Sequence, residues 1–299
     1  MTRRELLALL AVSVPGSRLP IPGSPPRALK VGVARGSAYS IRLMPLEEYV
    51  SGVLAGEALR GSAAAALDAL AIAIRTYAVA NLGRHRSDGF DLCDQTHCQV
   101  LRSGVAATDR AAEATAGRVL LDRGAPASIY FSASCGGHTE KPSNVWPGAD
   151  DPPYLPSRKD RACDGAPAWS ADVRNGDLLR ALQAVGFAGG RIESVRIAAH
   201  TSSGRVARLR IEGTQPEEIS GQDLRVAVGR TLGWQFIKST NFELHRNEDG
   251  YRFKGHGSGH GVGLCVVGSA RMAEQGRSVE QILRQYFPGL TIGGPSAGR

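Results

Sequence analysis

One glutamate in this sequence of 299 residues has a setting that favours acid chemistry. Glu57 lies among apolar neighbours, namely Val53, Leu54, Ala55, Ala58 and Leu59. Burial among such side chains disfavours the charged carboxylate and raises the pKa of a carboxyl group. A carboxyl group in this setting could hold a proton and act as a general acid. The alternative is a solvated glutamate at the end of a helix.

Cysteine and histidine are concentrated in a polar, turn-rich segment. Cys93 and Cys98, with His97, could bind a structural zinc through thiolate and imidazole. Three further donors are near in sequence: His85, Cys135 and His138. In an oxidising compartment, Cys93 with Cys98, or Cys135 with Cys163, would form disulfides instead. Free thiols are the third alternative, and the odd count of five leaves a cysteine over, with Cys265 the unassigned one.

Two glycine-rich loops could approach a ligand with their backbone. The first contains Ser134, Gly136 and His138, and its unobstructed N–H groups suit a sugar acetamide or carboxylate. The second, residues 255–263, lacks the Lys-Ser/Thr ending of a phosphate-binding loop, so a nucleotide is not expected. Its glycines are predicted to let backbone approach a ligand beside His260. The alternative is a pair of simple glycine turns.

A Cys/His pair could also support nucleophilic hydrolysis. Cys265 lies five residues after His260, which permits such a pair in principle. No orienting Asn or Asp is evident beside them, so a thiol hydrolase is disfavoured.

Mixed helices and short antiparallel strands, in a loop-rich α+β fold around a substrate groove, would position these residues. Strands are predicted at residues 29–33, 38–43, 118–121, 126–131, 192–200 and 205–211. Helices are predicted from residue 46, with a break near Gly56, and at residues 63–81, 108–115, 177–185, 221–229, 268–274 and 279–286. Ser62 is expected to cap the second helix.

The first 27 residues are predicted to be a signal-like segment and linker. Arg3 and Arg4 precede an apolar run at residues 8–14, an arrangement that resembles the address of the twin-arginine exporter. Export to the periplasm or cell envelope is expected, with an amphipathic first helix as the alternative. No later segment predicts a transmembrane helix. Residues 28–299 would form one domain, with an insertion or subdomain at about residues 150–235.

The net charge of the chain indicates which classes of partner it favours. A net charge of +8 favours an anionic partner such as nucleic acid, a membrane surface or bacterial wall. No run of five Lys or Arg residues occurs, and the basic residues are spread along the chain. A nucleic-acid partner is therefore not expected.

The stretches that carry these residues follow one another in a recognisable order. The first are Leu46-x-x-Tyr49-Val50-x-Gly52-Val53-Leu54-Ala55-x-Glu57 and Ala71-x-Ala73-x-Arg75-Thr76-Tyr77-Ala78. The next are Cys93-Asp94-x-Thr96-His97-Cys98-Gln99-Val100, Tyr130-Phe131-Ser132-Ala133-Ser134-Cys135-Gly136-Gly137-His138-Thr139 and Gly259-His260-Gly261-Val262-Gly263-Leu264. Over about residues 41–290 they resemble the domain of stage II sporulation protein D (SpoIID), which also occurs in LytB-type amidase enhancers.

The resemblance implies a lytic transglycosylase that cleaves peptidoglycan glycan strands, especially strands stripped of their stem peptides. In such an enzyme one carboxyl group acts twice. Protonated Glu57 would give its proton to the glycosidic oxygen. The carboxylate would then take the proton of the sugar's own 6-hydroxyl, which attacks C1 and leaves a 1,6-anhydro-N-acetylmuramic acid end.

The groove implied by the resemblance and by the glycine loops is lined by several residues. The predicted substrate-binding residues are Arg75, Tyr77, Gln99, Ser134, Gly136, His138 and His260. Arg75 suits a lactyl carboxylate, with a buried structural arginine as the alternative. No cofactor is required, although a structural zinc at Cys93, His97 and Cys98 agrees with family members described as metal-binding.

The chain departs from the family pattern at two places. Ala58-Leu59 follows Glu57 where a small residue or Met and then Pro is common, and Val266 stands where Gln is usual. The alternative function is a non-catalytic, peptidoglycan-binding enhancer of an N-acetylmuramoyl-L-alanine amidase. The expected partners are glycan strands and a cell-wall amidase.

Overall fold

The computed structural model describes residues 28–36 and 38–294. The predicted signal-like segment and linker, residues 1–27, lie outside the described residues. Within the described ranges, no helix combines the length and the apolar character needed to cross a membrane.

The described chain contains seven α-helices and fourteen short strands. The helices are α1 (Leu46–Glu57), α2 (Ala64–Ala80), α3 (Ala106–Ala114), α4 (Asn175–Gln183), α5 (Gly221–Thr231), α6 (Val266–Glu274) and α7 (Val279–Tyr286). The strands are β1 (Ala28–Arg35), β2 (Ala38–Pro45), β3 (Leu92–Cys93), β4 (Val119–Asp122), β5 (Ala125–Pro126), β6 (Phe131–Ser132), β7 (Ala168–Arg174), β8 (Ser194–His200), β9 (Val206–Glu212), β10 (Glu218–Ser220), β11 (Phe242–Arg246), β12 (Gly250–His256), β13 (Leu264–Cys265) and β14 (Thr291–Gly293).

The strands form five small sheets of two or three strands each. β1 pairs antiparallel with β2 and parallel with β3. In the other three-stranded sheets, β9 lies between β8 and β10, β12 between β7 and β11, and β4 between β5 and β14. β6 and β13, far apart in sequence, pair in parallel. The predicted α+β class is confirmed.

The first hydrophobic core surrounds α2. Twelve of the seventeen residues of this helix are buried, which is typical of a helix at the centre of a core rather than at its surface. Helices α1, α3, α6 and α7 all contact it. The last part of the chain completes the core, because Val262, Leu264, Ile282 and Phe287 pack into it.

A second hydrophobic core forms from residues between Trp169 and Phe253. Leu178 of α4 and Leu224 of α5 are fully buried in it, together with strand residues such as Leu209. In sequence, this second core lies between the two parts of the chain that build the first core. The second core is therefore built from one continuous segment of the chain, and the first core from two separate segments.

A buried carboxylate joins the two cores. Glu140, 1% exposed, follows the first glycine loop, and its Oε2 accepts hydrogen bonds from Thr201 Oγ1 and Ser203 Oγ, each at 2.6 Å. Burial alone would raise the pKa of Glu140, but the hydrogen bonds of Ser203, Thr201 and Asn144 outweigh burial and lower it. The turn after β8 is thereby held against the first core.

The structure corrects three local predictions. Ser62 does not cap α2, because its hydroxyl donates to the Leu59 carbonyl at 2.9 Å. The strand predicted at residues 126–131 divides in two: Pro126 ends β5, and Phe131 begins β6. Strands β7, β11 and β12 were not predicted. Only Trp169 and Val173 are buried in β7, so its apolar signal in the sequence is weak.

Candidate catalytic site

Glu57 is the last residue of α1, and one face of that helix is built to receive a loop. Tyr49, Gly52 and Gly56 share this face, and residues 99–102 pack against it. A Cβ at Gly56 would lie 2.3 Å from the Val100 carbonyl oxygen, and one at Gly52 would lie 2.8 Å from the Arg102 carbonyl oxygen. Both positions therefore require glycine for the loop to come this close.

The loop is fixed by polar contacts on either side of Val100. The Arg102 N–H donates to the Gly52 carbonyl at 3.0 Å. Gln99, 1% exposed, accepts a hydrogen bond from the Tyr49 hydroxyl at 2.9 Å. The prediction that Gln99 binds substrate is therefore wrong for its side chain, which is enclosed and anchors the loop.

The packed loop presents one backbone donor to Glu57. The Val100 N–H donates to Glu57 Oε1 at 3.1 Å. Burial raises the pKa of Glu57, and this effect exceeds the lowering caused by the Val100 hydrogen bond and the Arg102 charge. The partial negative charge at the end of α1 acts in the same direction as burial. Glu57 is a half-buried carboxyl with a raised pKa, as its apolar neighbours predicted.

Arg75 is a structural residue. Its side chain has no exposed surface, and its NH2 group donates to Glu47 Oε2 and to the Ala112 carbonyl. NH1 donates to the Arg118 carbonyl at 3.2 Å. The expectation that Arg75 contacts substrate is wrong for this structure, and the alternative of a buried structural arginine describes its position.

Tyr77 connects the Glu57 region to an aromatic group. Only 6% exposed, it packs edge-on against Tyr130 with ring centroids 6.4 Å apart. Burial is the main cause that raises the pKa of Tyr77 to about 12, so it stays a neutral phenol. Tyr77 lies on α2, which packs against α1, the helix that ends at Glu57.

Tyr130, Trp146 and His260 form a half-buried aromatic group. The ring centroids of Tyr130 and Trp146 are 4.6 Å apart, and those of Trp146 and His260 are 4.9 Å apart. Aromatic faces with a few placed polar atoms are typical of ligand sites. Tyr130 and Trp146 were not predicted as site residues. The available signal was their type and place, because aromatic residues make up only 6% of the chain and these two lie in loops or at loop ends.

His260 is held in one neutral form. Burial, with the charges of Arg225 and Arg205, lowers the pKa of His260 to about 3. The Val262 N–H donates to His260 Nδ1 at 3.0 Å, so in the neutral ring the hydrogen is on Nε2. With Nδ1 engaged as the acceptor, the neutral His260 ring can only donate, from Nε2–H.

The first glycine loop is engaged within the protein. Ser134, 7% exposed, contacts Cys163 Sγ through its hydroxyl at 3.3 Å. The Gly136 N–H points at the Ser134 hydroxyl, and His138 Nδ1 is bonded to the Thr139 carbonyl at 2.9 Å. The expectation of free N–H groups for a ligand is therefore wrong for Ser134 and Gly136, and His138 remains half-buried.

The two glycine loops contact each other. Ser134 and Ser258 exchange backbone hydrogen bonds of 3.0 and 2.9 Å. At Gly257, where φ is +76°, a Cβ would lie 2.8 Å from the Ser134 carbonyl oxygen. These glycines allow one protein segment to approach another, where the sequence had suggested the approach of a ligand.

Four side chains that could hold a metal ion meet beside the Gln99 loop. Donor atoms of His85, Cys93, His97 and Cys98 all lie within 4.8 Å of one another. Cys93 Sγ is 3.3 Å from His97 Nε2, and Cys98 Sγ is 3.4 Å from His85 Nε2. Two thiols and two imidazoles at this spacing fit the tetrahedral preference of Zn²⁺. Both cysteines are free thiols.

Of the three further donors that the sequence suggested, His85 is the one that completes this set. A short 3₁₀ turn at Arg86–Asp88 reverses the chain after His85, and the ring then stacks on Phe90 at 4.7 Å. The reversal brings His85 next to β3, which carries Cys93. Proximity of the four residues in sequence was the available signal.

Two family models and several known proteins are similar to this chain. A family model described as stage II sporulation protein (SpoIID) matches residues 34–121, and a model described as a domain of unknown function matches residues 166–263. The chain is 29% identical over 252 residues to an uncharacterized protein of Brachyspira hyodysenteriae, covering 83% of this chain and 66% of that protein. It is 30% identical over 283 residues to stage II sporulation protein D of Bacillus amyloliquefaciens, covering 88% of this chain and 78% of that protein.

The chain belongs to the stage II sporulation protein D family. It is also 27% identical over 294 residues to the amidase enhancer of Bacillus subtilis, of which it spans 40%. The SpoIID match includes Glu57, Arg75 and the four His and Cys side chains near Gln99, whereas the second match includes His260. Glu57 and His260 of this SpoIID-family chain therefore fall in different matched regions, and Tyr130 and Trp146 lie in the stretch between them.

One departure from the SpoIID pattern follows Glu57 directly, and the other lies at the start of α6. Ala58 caps the end of α1 with an extended backbone, and Leu59 is 42% exposed. Val266 is the first residue of α6 and is buried in the first core. An apolar side chain suits that position.

The thiol-hydrolase arrangement is absent from the described residues of this SpoIID-family chain. Cys265 is buried, and its sulfur accepts hydrogen bonds from the Cys135 and Gly268 N–H groups. His260 Nδ1 accepts from Val262. The two side chains do not pair.

Proposed function

We propose that this chain is a peptidoglycan lytic transglycosylase whose acid and base is Glu57. The observation that carries the proposal is the half-buried Glu57 carboxyl with its raised pKa and its single hydrogen bond from Val100. Because Val100 donates to Oε1, the proton of the neutral carboxyl belongs on Oε2, the oxygen without a partner among the described residues. Oε2 is then the atom that meets the substrate.

The reaction uses this one carboxyl in both of its forms. Glu57 Oε2–H gives its proton to the glycosidic oxygen, and the bond from that oxygen to C1 of N-acetylmuramic acid breaks. The resulting carboxylate takes the proton of the 6-hydroxyl as its oxygen bonds to C1. The products are a free 4-hydroxyl on one strand and a 1,6-anhydro end on the other, and Glu57 is protonated again.

The remaining groups support binding and shape. Tyr130, Trp146 and the neutral His260 offer aromatic faces to a sugar. His85, Cys93, His97 and Cys98 would hold a structural Zn²⁺ that fixes the segment leading to Gln99 and Val100. A substrate of this class also requires export, which agrees with the signal-like N-terminal sequence.

A second candidate function rests on the likeness to the amidase enhancer. In that case the aromatic group would bind glycan, and Glu57 would have no role in bond cleavage. The two functions differ in one outcome, the release of new glycan ends.

The test is the purified full chain with amidase-treated, peptide-stripped peptidoglycan. We expect anhydro-ended glycan products by mass spectrometry, and a loss of at least about 100-fold in their rate of formation for Glu57→Gln. Glu48→Gln is the matched control, because Glu48 lies on the same helix, is half exposed and pairs only with Arg42. Reducing ends would indicate hydrolysis instead. Wall binding without any product would favour the enhancer.

A further inference from the structure

A second group of potential ligands lies inside the first core, separate from the four residues near Gln99. Cys135, Asp160, Cys163 and Cys265 come from the first glycine loop, the turn after residue 159 and the end of β13. Each is at most 1% exposed, and their donor atoms lie within 4.8 Å of one another. All three cysteines are free thiols. Three thiols and a carboxyl so enclosed require an explanation beyond ordinary packing.

The size of the group fits a single metal ion. With zinc-to-sulfur bonds of about 2.3 Å, tetrahedral geometry separates two thiolate ligands by about 3.8 Å. All four donor atoms lie within 4.8 Å of one another, and Cys135 Sγ is 3.2 Å from Asp160 Oδ2. One ion can span distances of this size. A sulfur-rich, four-donor set is the one that Zn²⁺ takes in closed structural sites.

Polar groups around the cluster orient its donors from outside. The Tyr286 hydroxyl donates to Asp160 Oδ2 at 2.9 Å, and the Ala162 N–H donates to Oδ1 at 3.2 Å. The N–H groups of Cys135 and Gly268 donate to Cys265 Sγ at 3.2 and 3.3 Å. Hydrogen bonds of this kind hold ligating carboxylates and thiolates in place at metal sites.

A buried cation lies beside the cluster. Arg205 is 2% exposed and donates from NH2 to the Cys135 carbonyl at 2.7 Å, while Nε and NH1 have no partner. No carboxylate within 4.0 Å pairs with it among the described residues. A divalent metal with three thiolates and one carboxylate has a net negative charge, which would stabilise this guanidinium.

We propose that Cys135, Asp160, Cys163 and Cys265 bind a second Zn²⁺. The ion would tie the first glycine loop to β13, the start of α6 and the turn at residues 160–163. These segments lie directly behind the contact between the two glycine loops. The site would act as a structural clamp beneath the aromatic group, and it takes no part in proton transfer.

Metal content tests the proposal through two single variants. The full chain is loaded with Zn²⁺, dialysed and measured by elemental analysis. We expect Cys98→Ser, which disrupts the first site, to keep one tightly bound Zn²⁺ per chain. Cys163→Ser should lose one equivalent relative to the parent protein. A Cys98→Ser protein that binds no Zn²⁺ would overturn the proposal, whatever the activity of the chain.

Cobalt substitution in the Cys98→Ser protein gives a readout that does not depend on the folding of Cys163→Ser. Tetrahedral Co²⁺ with several thiolates should show strong visible bands and thiolate-to-cobalt charge transfer, and Asp160→Asn should alter the visible bands. Thiol titration in denaturant with chelator but without reductant is the complementary measurement. Five free thiols in the parent chain are expected, whereas two fewer, mapped to a disulfide among the three buried cysteines, would contradict the proposal.

Discussion

At the scale of single residues, the candidate site depends on a carboxyl group whose ionisation is disfavoured by burial. Glu57 loses hydration by burial and gains only one backbone hydrogen bond in return. The Val100 N–H favours a fixed carboxyl orientation as well as some negative charge. A group in this position can be protonated at the start of a reaction and still ionise during it.

The raised pKa of Glu57 has a consequence for stability with a definite sign. Because the folded-state pKa lies above the unfolded value near 4.5, the folded protein binds more protons, and its stability falls as the pH rises through this window. We therefore expect Glu57→Gln to raise the Tm relative to the parent at pH 7, with the gain disappearing below about pH 4. Thermal unfolding of both proteins across this range is the measurement. A Glu57→Gln protein that is less stable than the parent at pH 7 would contradict the raised pKa of Glu57.

The raised pKa of Glu57 could be predicted from the sequence, whereas the burial of Arg75, Gln99 and Ser134 could not. The apolar neighbours of Glu57 are adjacent in the chain, so their effect on its pKa was visible in the sequence. The direction of the Arg75 side chain was not visible, because its partner Glu47 is on another helix. The burial of the Gln99 and Ser134 side chains was not visible either, because it depends on elements that are distant in sequence.

At the scale of elements, the position of Val100 depends on two glycines of α1. Gly52 and Gly56 are one helical turn apart, and together they form a shallow surface on which the loop lies. Helices α1 and α2 were predictable from their hydrophobic pattern. The loop contact was not, since it is made by backbone atoms that leave no signature in side-chain periodicity.

We expect Gly56→Ala to move the loop and lower activity. The added Cβ would meet the Val100 carbonyl at 2.3 Å, so overpacking should cost about 1–3 kcal/mol, partly offset by the better helix propensity of alanine. Loss of the Val100 hydrogen bond should reduce glycan cleavage more than it reduces stability. Product formation and urea unfolding are measured side by side.

Gly176→Ala is the matched control for this change. Gly176 also lies in a helix, α4, and a Cβ there would meet nothing within 4 Å. This variant should be neutral or more stable by about 0.5–1 kcal/mol, with unchanged activity. Equal activity of Gly56→Ala and the parent would show that the loop position does not matter.

Short strands were the elements that sequence patterns predicted least well. β12 alternates between buried and exposed residues and contains only two large buried side chains, Tyr251 and Phe253. Its partners β7 and β11 are edge strands with one face exposed. Two apolar positions in seven residues do not distinguish a strand from a loop, because the burial comes from the second core as a whole.

At the scale of the whole molecule, polar groups join two cores that each have their own apolar interior. Glu140 accepts hydroxyl hydrogen bonds from the second core, and Arg205 reaches back to the first glycine loop. The catalytic carboxyl proposed here belongs to the first core, whereas His260 follows the last strand of the second core.

Glu140→Gln should weaken this junction. The amide loses charge-assisted acceptance from Thr201 and Ser203, and we expect a loss of about 1–3 kcal/mol at neutral pH. Because the pKa of Glu140 is lowered in the folded state, the deficit should shrink as the pH falls below its ordinary value of 4.5. Urea unfolding would measure this loss of stability, and amide hydrogen exchange at residues 201–205 should become faster. Glu217→Gln, at a half-exposed pair with Arg210, is the matched control.

The return of residues 262–287 to the first core affects how the protein can be made. α2 cannot be fully enclosed until α6 and α7 have been synthesised, while the second core can form earlier from its contiguous segment. The nascent chain would therefore carry a folded insert within an unfinished host. α2 would keep part of its apolar surface exposed until residues 262–287 emerge, and this interval is the one most open to misfolding.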